Sequence, residues 1–310
     1  MLTMESFVKL FNSLFMNPDR PKPTEEHESE PSSKIALHFF RHSIRENAPE
    51  KRNQDVLLSP EGRILAKSKS SAETNLAQSV AFGSPRQRTQ ETAGFVMAGA
   101  RSEITGDESL DELREKLDAE LGHGSKIGVD ARLDFNSDES TPYRKAFYTA
   151  FRGGRYMPFI VEESDAMAES MNDEGGDTYS RMASRIAKIV KKYVAMAPRW
   201  ENLATDEQKQ YTDTLERFLS THQGVAESFL AKVIEKTKGV EERDRLVKAL
   251  EEKNGFDFAE GFDLEIRNRG IEKPTIHVTF KKEKDGAVVF QFDEDIPTEL
   301  LDEIDQQMNG

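Results

Sequence analysis

The 310-residue chain contains no cysteine. That absence excludes disulfides, thiolate nucleophiles and cysteine-ligated zinc. Positive charge is also short: 43 Lys and Arg stand against 57 Asp and Glu, a net charge of -14. A broad basic surface, and with it general nucleic-acid binding, is therefore not expected. No uncharged apolar run is long enough to span a bilayer. Met1 to Met16 has Leu2, Phe7, Leu10, Phe11, Leu14 and Phe15 at the spacing of an amphipathic helix, but Glu5 and Lys9 interrupt it. It matches neither a signal peptide nor a membrane span, so a cytoplasmic location is expected. Pro21 to Ser33 is rich in Pro, Glu and Ser and has the composition of a linker. The expected organisation is an N-terminal segment, residues 1–33, followed by a catalytic domain over residues 34–310.

Against this polar background, Lys34–Glu46 stands out. Ile35-Ala36-Leu37-His38-Phe39-Phe40 has the length and aromatic content of a buried strand, and it stops at Arg41-His42-Ser43-Ile44-Arg45. Ligand sites in α/β sheets form just past the carboxyl ends of strands. A histidine set between arginines is disfavoured from protonating. A neutral imidazole ringed by cations is suited to attack an anionic electrophile such as a phosphoryl group. His42 is thus the candidate nucleophile, with the arginines holding the phosphate.

The same junction recurs. Ser59-Pro60 predicts a helix cap and first helical position, with the helix running to about Ser70. Gln78–Phe82 predicts a second strand, running through Gly83-Ser84-Pro85 into a helix that carries Arg86 and Arg88. Thr214–Thr221 predicts a third strand that delivers His222 to another helix start. If these strands are parallel, as alternating strand and helix implies, Arg41, His42, Arg45, Arg88 and His222 meet at one sheet edge.

Between these junctions, Glu108–Leu121 predicts a short helix. Gly122–Arg155 shows no clear period and is expected to be irregular, part of a lid-like excursion over about 122–174. Gly175-Gly176-Asp177 opens a strong helix that Pro198 is expected to stop. Val240–Lys253 predicts a further helix. Phe262–Asn268, Thr275–Phe280 and Ala287–Phe292 predict strands, and Pro297–Gln307 a last helix, giving a C-terminal β-rich annex over about 255–310. The fold expected is α/β, a mostly parallel sheet flanked by helices. His38, His123 and His277 read as core histidines, and His27 has no assigned role. Tyr143, Arg144, Arg152 and Arg155 lie in the excursion, either recognising substrate or simply solvated.

These motifs, taken together, resemble the histidine phosphatase superfamily, also called phosphoglycerate mutase-like. The family's Arg-His-Gly appears as Arg41-His42-Ser43, and its Leu-Ser/Thr-x-x-Gly as Leu58 to Gly62. Its Ser-Pro/Ser-x-x-Arg-x-x-x-Thr-Ala runs from Ser84 to Ala93, its Gly-Gly-Glu-Ser/Thr is Gly175-Gly176-Asp177-Thr178, and its Thr/Ser-His-Gly-Gly is Thr221-His222-Gln223-Gly224. The five occur in family order. The resemblance implies a metal-independent phosphatase without a cofactor. His42 would form a phosphohistidine, while Arg41, Arg45, Arg88 and His222 surround the equatorial oxygens. The substrate would be a phosphorylated small molecule or phosphoprotein. A phosphoglycerate mutase-type phosphotransferase and a weakly active phospho-ligand binding module are the alternatives.

The chain departs from the family at Ser43, Gln223 and Asp177. Gln223 removes the acid of one branch, so the proton donor is sought in the excursion. There Arg132-Leu133-Asp134 points to Asp134, with Asp138 and Glu139 as rivals. A donor must be protonated, which requires surroundings that raise its pKa. Ser43 is expected either to crowd the pocket or to add a hydroxyl, and Asp177 to cap the helix beginning near Thr178.

Overall fold

A computed structural model describes residues 32–69, 75–99, 101–119, 126–136, 138–208, 211–270 and 273–306. The N-terminal amphipathic segment, nearly all of the linker, His27 and His123 lie outside the described residues.

The apolar run forms strand β1, Ser33–Arg41. Its alternation sends Ile35, Leu37 and Phe39 to one face of the sheet and Phe40 to the other, into two separate hydrophobic clusters. Burying a side chain such as Phe39 contributes about 2 kcal/mol. β1 pairs in parallel with β4, Thr214–Thr221. β4 pairs in parallel with β2, Ser79–Gly83, and β2 with the short edge strand β3, Ile127–Val129. On its other side β1 meets β5, Gly261–Asn268, antiparallel. Strands β6, Thr275–Lys284, and β7, Ala287–Ile296, continue antiparallel. The order is β3-β2-β4-β1-β5-β6-β7. The C-terminal β-rich extension thus continues the central sheet, which is mixed.

Helices cover both faces. Helix α1, Pro60–Ser68, starts as the sequence predicts: the Ser59 hydroxyl accepts from the Gly62 N–H at 3.1 Å. Helix α2, Gln87–Ala98, packs with α1 on one face, and α3, Leu110–Ala119, lies beside it. Helix α7, Tyr179–Ala204, and α8, Val225–Lys238, cover the other face. Helix α9, Val240–Leu250, and α10, Glu299–Gln306, complete the chain.

Pro198 does not stop α7, contrary to expectation. The helix runs through it because buried Ala197 and Trp200 anchor the last turns, and the Trp200 indole donates to the Asp213 carbonyl at 3.1 Å. Packing here outweighs the lost proline hydrogen bond.

The excursion also differs from expectation. It folds into helices α4, Pro142–Arg152, α5, Tyr156–Glu162, and α6, Ser164–Ser170. Thr141 caps α4 by accepting from the Arg144 N–H at 3.2 Å, with Pro142 at its start and Gly153-Gly154 at its end. Segments of 11, 7 and 7 residues are too short to establish a visible period.

Candidate active site

Strand register builds the site. Arg41 of β1 lies opposite Thr221 of β4, so the two chains leave the sheet side by side. The His42 N–H then donates to the Thr221 carbonyl at 2.8 Å, and the His42 and His222 rings stand edge to face with centroids 5.3 Å apart. β2 ends one strand further over, which sets the Ser84 hydroxyl 2.9 Å from His222 Nε2. Arg88, in the first turn of α2, reaches back so that its Nε stands 3.4 Å from His42 Nε2.

Two glycines are required here. A Cβ on Gly62 would lie 2.0 Å from the Ile44 carbonyl oxygen, so this glycine lets α1 close against the loop that follows His42. Gly224 has φ of 91°, and a Cβ there would meet the Tyr156 hydroxyl at 2.2 Å.

Arg41, His42, Arg45, Arg88 and His222 all line one cavity of about 480 Å³. A cavity of about 780 Å³, elsewhere on the protein, is lined by scattered acids and bases such as Arg245, Glu251 and Lys282 and gathers no comparable constellation.

The His42 ring is oriented from below. Its Nδ1 lies 2.7 Å from the Ser43 carbonyl oxygen. A carbonyl only accepts, so the proton of the neutral ring sits on Nδ1 and Nε2 carries the lone pair. Burial, then the nearby His222 and Arg88, hold His42 well below the usual histidine pKa. Burial likewise pulls His222 down to about 3, although the Asp134 carboxylate opposes it. Arg88 is lowered by burial to about 9 and remains cationic at neutral pH. It donates to the Asn53 carbonyl at 2.7 Å and to the Asn53 side chain at 3.0 Å. Arg41 donates to the Phe256 carbonyl at 2.6 Å and lies over the Phe258 ring at 4.5 Å, while its Nε is buried without a partner among the described residues. Arg45 is exposed at the rim, fixed by a backbone bridge to Leu58.

The surroundings of Asp134 are the reverse of those a proton donor requires. The Arg86 guanidinium donates to it at 2.7 Å, and His222 Nε2 lies 3.2 Å away. Burial alone would raise its pKa, but these two partners override it and hold the carboxyl far below the usual range. Nor does Asp134 line the cavity. Its rivals face outward: Asp138 pairs with Arg144 at 2.5 Å, and Glu139 pairs with Arg152. Among the described residues, no carboxyl lines the cavity.

Other expectations change as well. Ser43 neither crowds the cavity nor adds a donor to it: the side chain is fully buried outside the lining, and its N–H donates to Thr92 at 3.0 Å. Asp177 is not the cap. Thr178 is, while Asp177 accepts from the Asn136 N–H at 2.6 Å and pairs with Arg185 at 2.9 Å, bracing the loop after Asp134. Tyr143, Arg144, Arg152 and Arg155 are bound to other protein groups and stand outside the lining.

His38 is an ion-paired histidine rather than a core one. Burial pulls its pKa down, but the Asp263 carboxylate at 2.7 Å and Glu216 at 3.7 Å raise it to about 9. His277 sits between Asp293 and Asp295, at 2.9 and 2.7 Å.

No family model and no curated protein matches the chain. Among solved structures, the chain is similar to a mycobacterial glucosyl-3-phosphoglycerate phosphatase in complex with inorganic phosphate: 16% identity, 82% of this chain and 99% of that one, TM-score 0.41. It is also similar to a mycobacterial hydrolase, at 14% identity over 89% and 98% of the chains with TM-score 0.42. A phosphoserine phosphatase from Entamoeba histolytica gives 13% identity over 78% and 94% with TM-score 0.32. Likeness at this level bears on neither activity nor substrate. The family resemblance itself lies in the five motifs.

The residues that sequence reasoning missed are aromatic. Phe135, Phe147, Tyr148, Phe151, Tyr156 and Phe258 form the cavity wall. The signal was present at Phe147-Tyr148 and Phe151, which share one face of α4 at i, i+1 and i+4.

Proposed function

We propose that the protein is a phosphatase that hydrolyses a phosphomonoester through a phosphohistidine on His42. One observation carries the reading: the Ser43 carbonyl occupies Nδ1, so the Nε2 lone pair, which accepts from Arg88 Nε at 3.4 Å until a phosphoryl group takes that donor, belongs to a neutral ring inside a cavity lined by three arginines. Nε2 attacks phosphorus, the P–O ester bond breaks, and its electron pair leaves on the ester oxygen, which takes a proton from solvent. Water then attacks the phosphoryl group, the N–P bond breaks, a proton is lost, and phosphate departs from the regenerated neutral ring. Nδ1 keeps its proton throughout. Arg41, Arg45 and Arg88 stabilise the charge on the equatorial oxygens, joined by His222 once the bound anion draws a second proton onto its Nδ1. The reading calls on neither a metal nor a cofactor for that charge. Asp134 acts here as a positioning residue, holding the proton of His222 on Nε2.

Rapid quench with 32P-labelled phenyl phosphate tests the reading. Acid-labile, base-stable label is expected on the protein, with turnover in chelator-treated buffer and a loss of at least about 10³-fold in His42→Ala. Turnover that persists in His42→Ala overturns it. Label that passes to a sugar acid instead of water supports the phosphotransferase. Phosphate-ester binding with no turnover supports the binding module.

A further inference from the structure

The wall of the cavity identifies what the phosphate is attached to. Beyond the cationic floor stand the six aromatic rings named above. Four of them, Phe147, Tyr148, Phe151 and Tyr156, form a connected array. Phe147 and Phe151 each meet Tyr156 edge to face, with centroids 5.1 and 5.3 Å apart, and Phe147 meets Tyr148 at 5.5 Å. Phe151 is 39% exposed at the rim.

Most of the polar groups in the same wall are engaged by the protein. The Tyr156 hydroxyl donates to the Gln223 carbonyl at 3.2 Å, and the Tyr148 hydroxyl to the Asn136 carbonyl at 3.3 Å. The Gln223 amide nitrogen donates to the Lys253 carbonyl at 3.1 Å and to the Asn254 carbonyl. The Asn53 amide oxygen accepts from Arg88 at 3.0 Å. A leaving group rich in hydroxyls would lose its water here and find few partners, whereas a flat apolar one finds ring faces and edges. The absence of a lining carboxyl among the described residues points the same way, because a leaving group of low basicity has least need of a proton donor.

Resting on the phosphatase reading for the cationic floor, we infer that the substrate is an aromatic phosphomonoester, its ring held against the Phe147, Phe151 and Tyr156 wall, rather than a sugar phosphate or another polyol phosphate.

Binding of non-hydrolysable phosphonates to the full-length chain tests this independently of turnover. Calorimetry should give benzylphosphonate an affinity about tenfold higher than that of 2,3-dihydroxypropylphosphonate. Phe151→Ala, a change at an exposed position, should narrow that ratio to about threefold. Equal affinities in the wild type, or a ratio unmoved by Phe151→Ala, overturn the inference. The quench experiment decides the phosphatase reading separately: a labelled His42 with no aromatic preference leaves the phosphatase and removes this substrate class. Aromatic preference without turnover keeps the class and removes the phosphatase.

Discussion

In the antiparallel half of the sheet, charged side chains find partners. His277 lies between Asp293 and Asp295, Arg267 pairs with Glu265 at 2.8 Å, and Lys282 with Glu260 at 2.7 Å. In the parallel half, at the carboxyl ends of β1 and β4, the opposite holds. Arg41 Nε and His222 Nδ1 are buried without partners among the described residues, and His42 is kept neutral beside cations. Unsatisfied buried polar atoms cost about 1–3 kcal/mol each. On the proposed reading a bound anion would relieve that cost at Arg41, and the antiparallel half supplies paired strands and buried core. One sheet therefore separates site from support, with β1 as the boundary.

The sharpest way to break this division is to swap the expected effects. Arg88→Ala should lower kcat/KM for phenyl phosphate by about 10²–10³-fold, while Tm in phosphate-free buffer stays close to wild type. A large fall in Tm with little kinetic loss would make Arg88 a structural residue. Conversely, Ile276→Ala on β6 empties a fully buried core position. It should cost about 3 kcal/mol in urea unfolding and leave kcat/KM unchanged. A kinetic loss as large as that of Arg88→Ala would show that the two halves are not separable.

His38 tests the boundary strand itself. Its folded pKa is raised from 6.5 to about 9, so its contribution is complete below the unfolded pKa and is lost as pH rises through the folded one. Wild-type stability should therefore fall by roughly 2 kcal/mol, screening included, between about pH 6.5 and 9 relative to His38→Gln. Parallel pH profiles for the two proteins would refute the assignment. The smallest effect expected is that of Asp134→Asn, a loss of about tenfold in kcat/KM. That factor should be the same for 4-nitrophenyl phosphate and for an alkyl phosphate if, as proposed, Asp134 positions His222 and donates no proton. A loss confined to the alkyl ester would restore it as the general acid.

Much of this was legible in the chain. Lys34–Phe40 announces a buried strand by composition, Ser59-Pro60 announces a helix start, and three strand-to-helix junctions carry the residues that meet in the cavity. These signals are local, or repeat a local pattern, so they survive without coordinates. The excursion was not legible because its helices are short and broken by glycine, leaving no period to detect. Pro198 misled because its cost is local, while the burial of Ala197 and Trp200 that outweighs it comes from distant strands. The surroundings of Asp134 were not legible for a related reason. Its partners Arg86 and His222 lie 48 and 88 positions away, and a carboxyl's protonation follows from partners rather than from neighbours in sequence.

Residue identities alone determined which groups carry chemistry, because a neutral imidazole, a guanidinium and a strand-forming run are properties of side chains and their immediate neighbours. Tertiary structure alone decided which of those groups share a cavity, which ring nitrogen carries the lone pair, which carboxyl is held ionised and which aromatic faces surround the site. Those properties depend on separation and burial, and both are set only when strand register and packing bring remote segments within a few ångströms of one another.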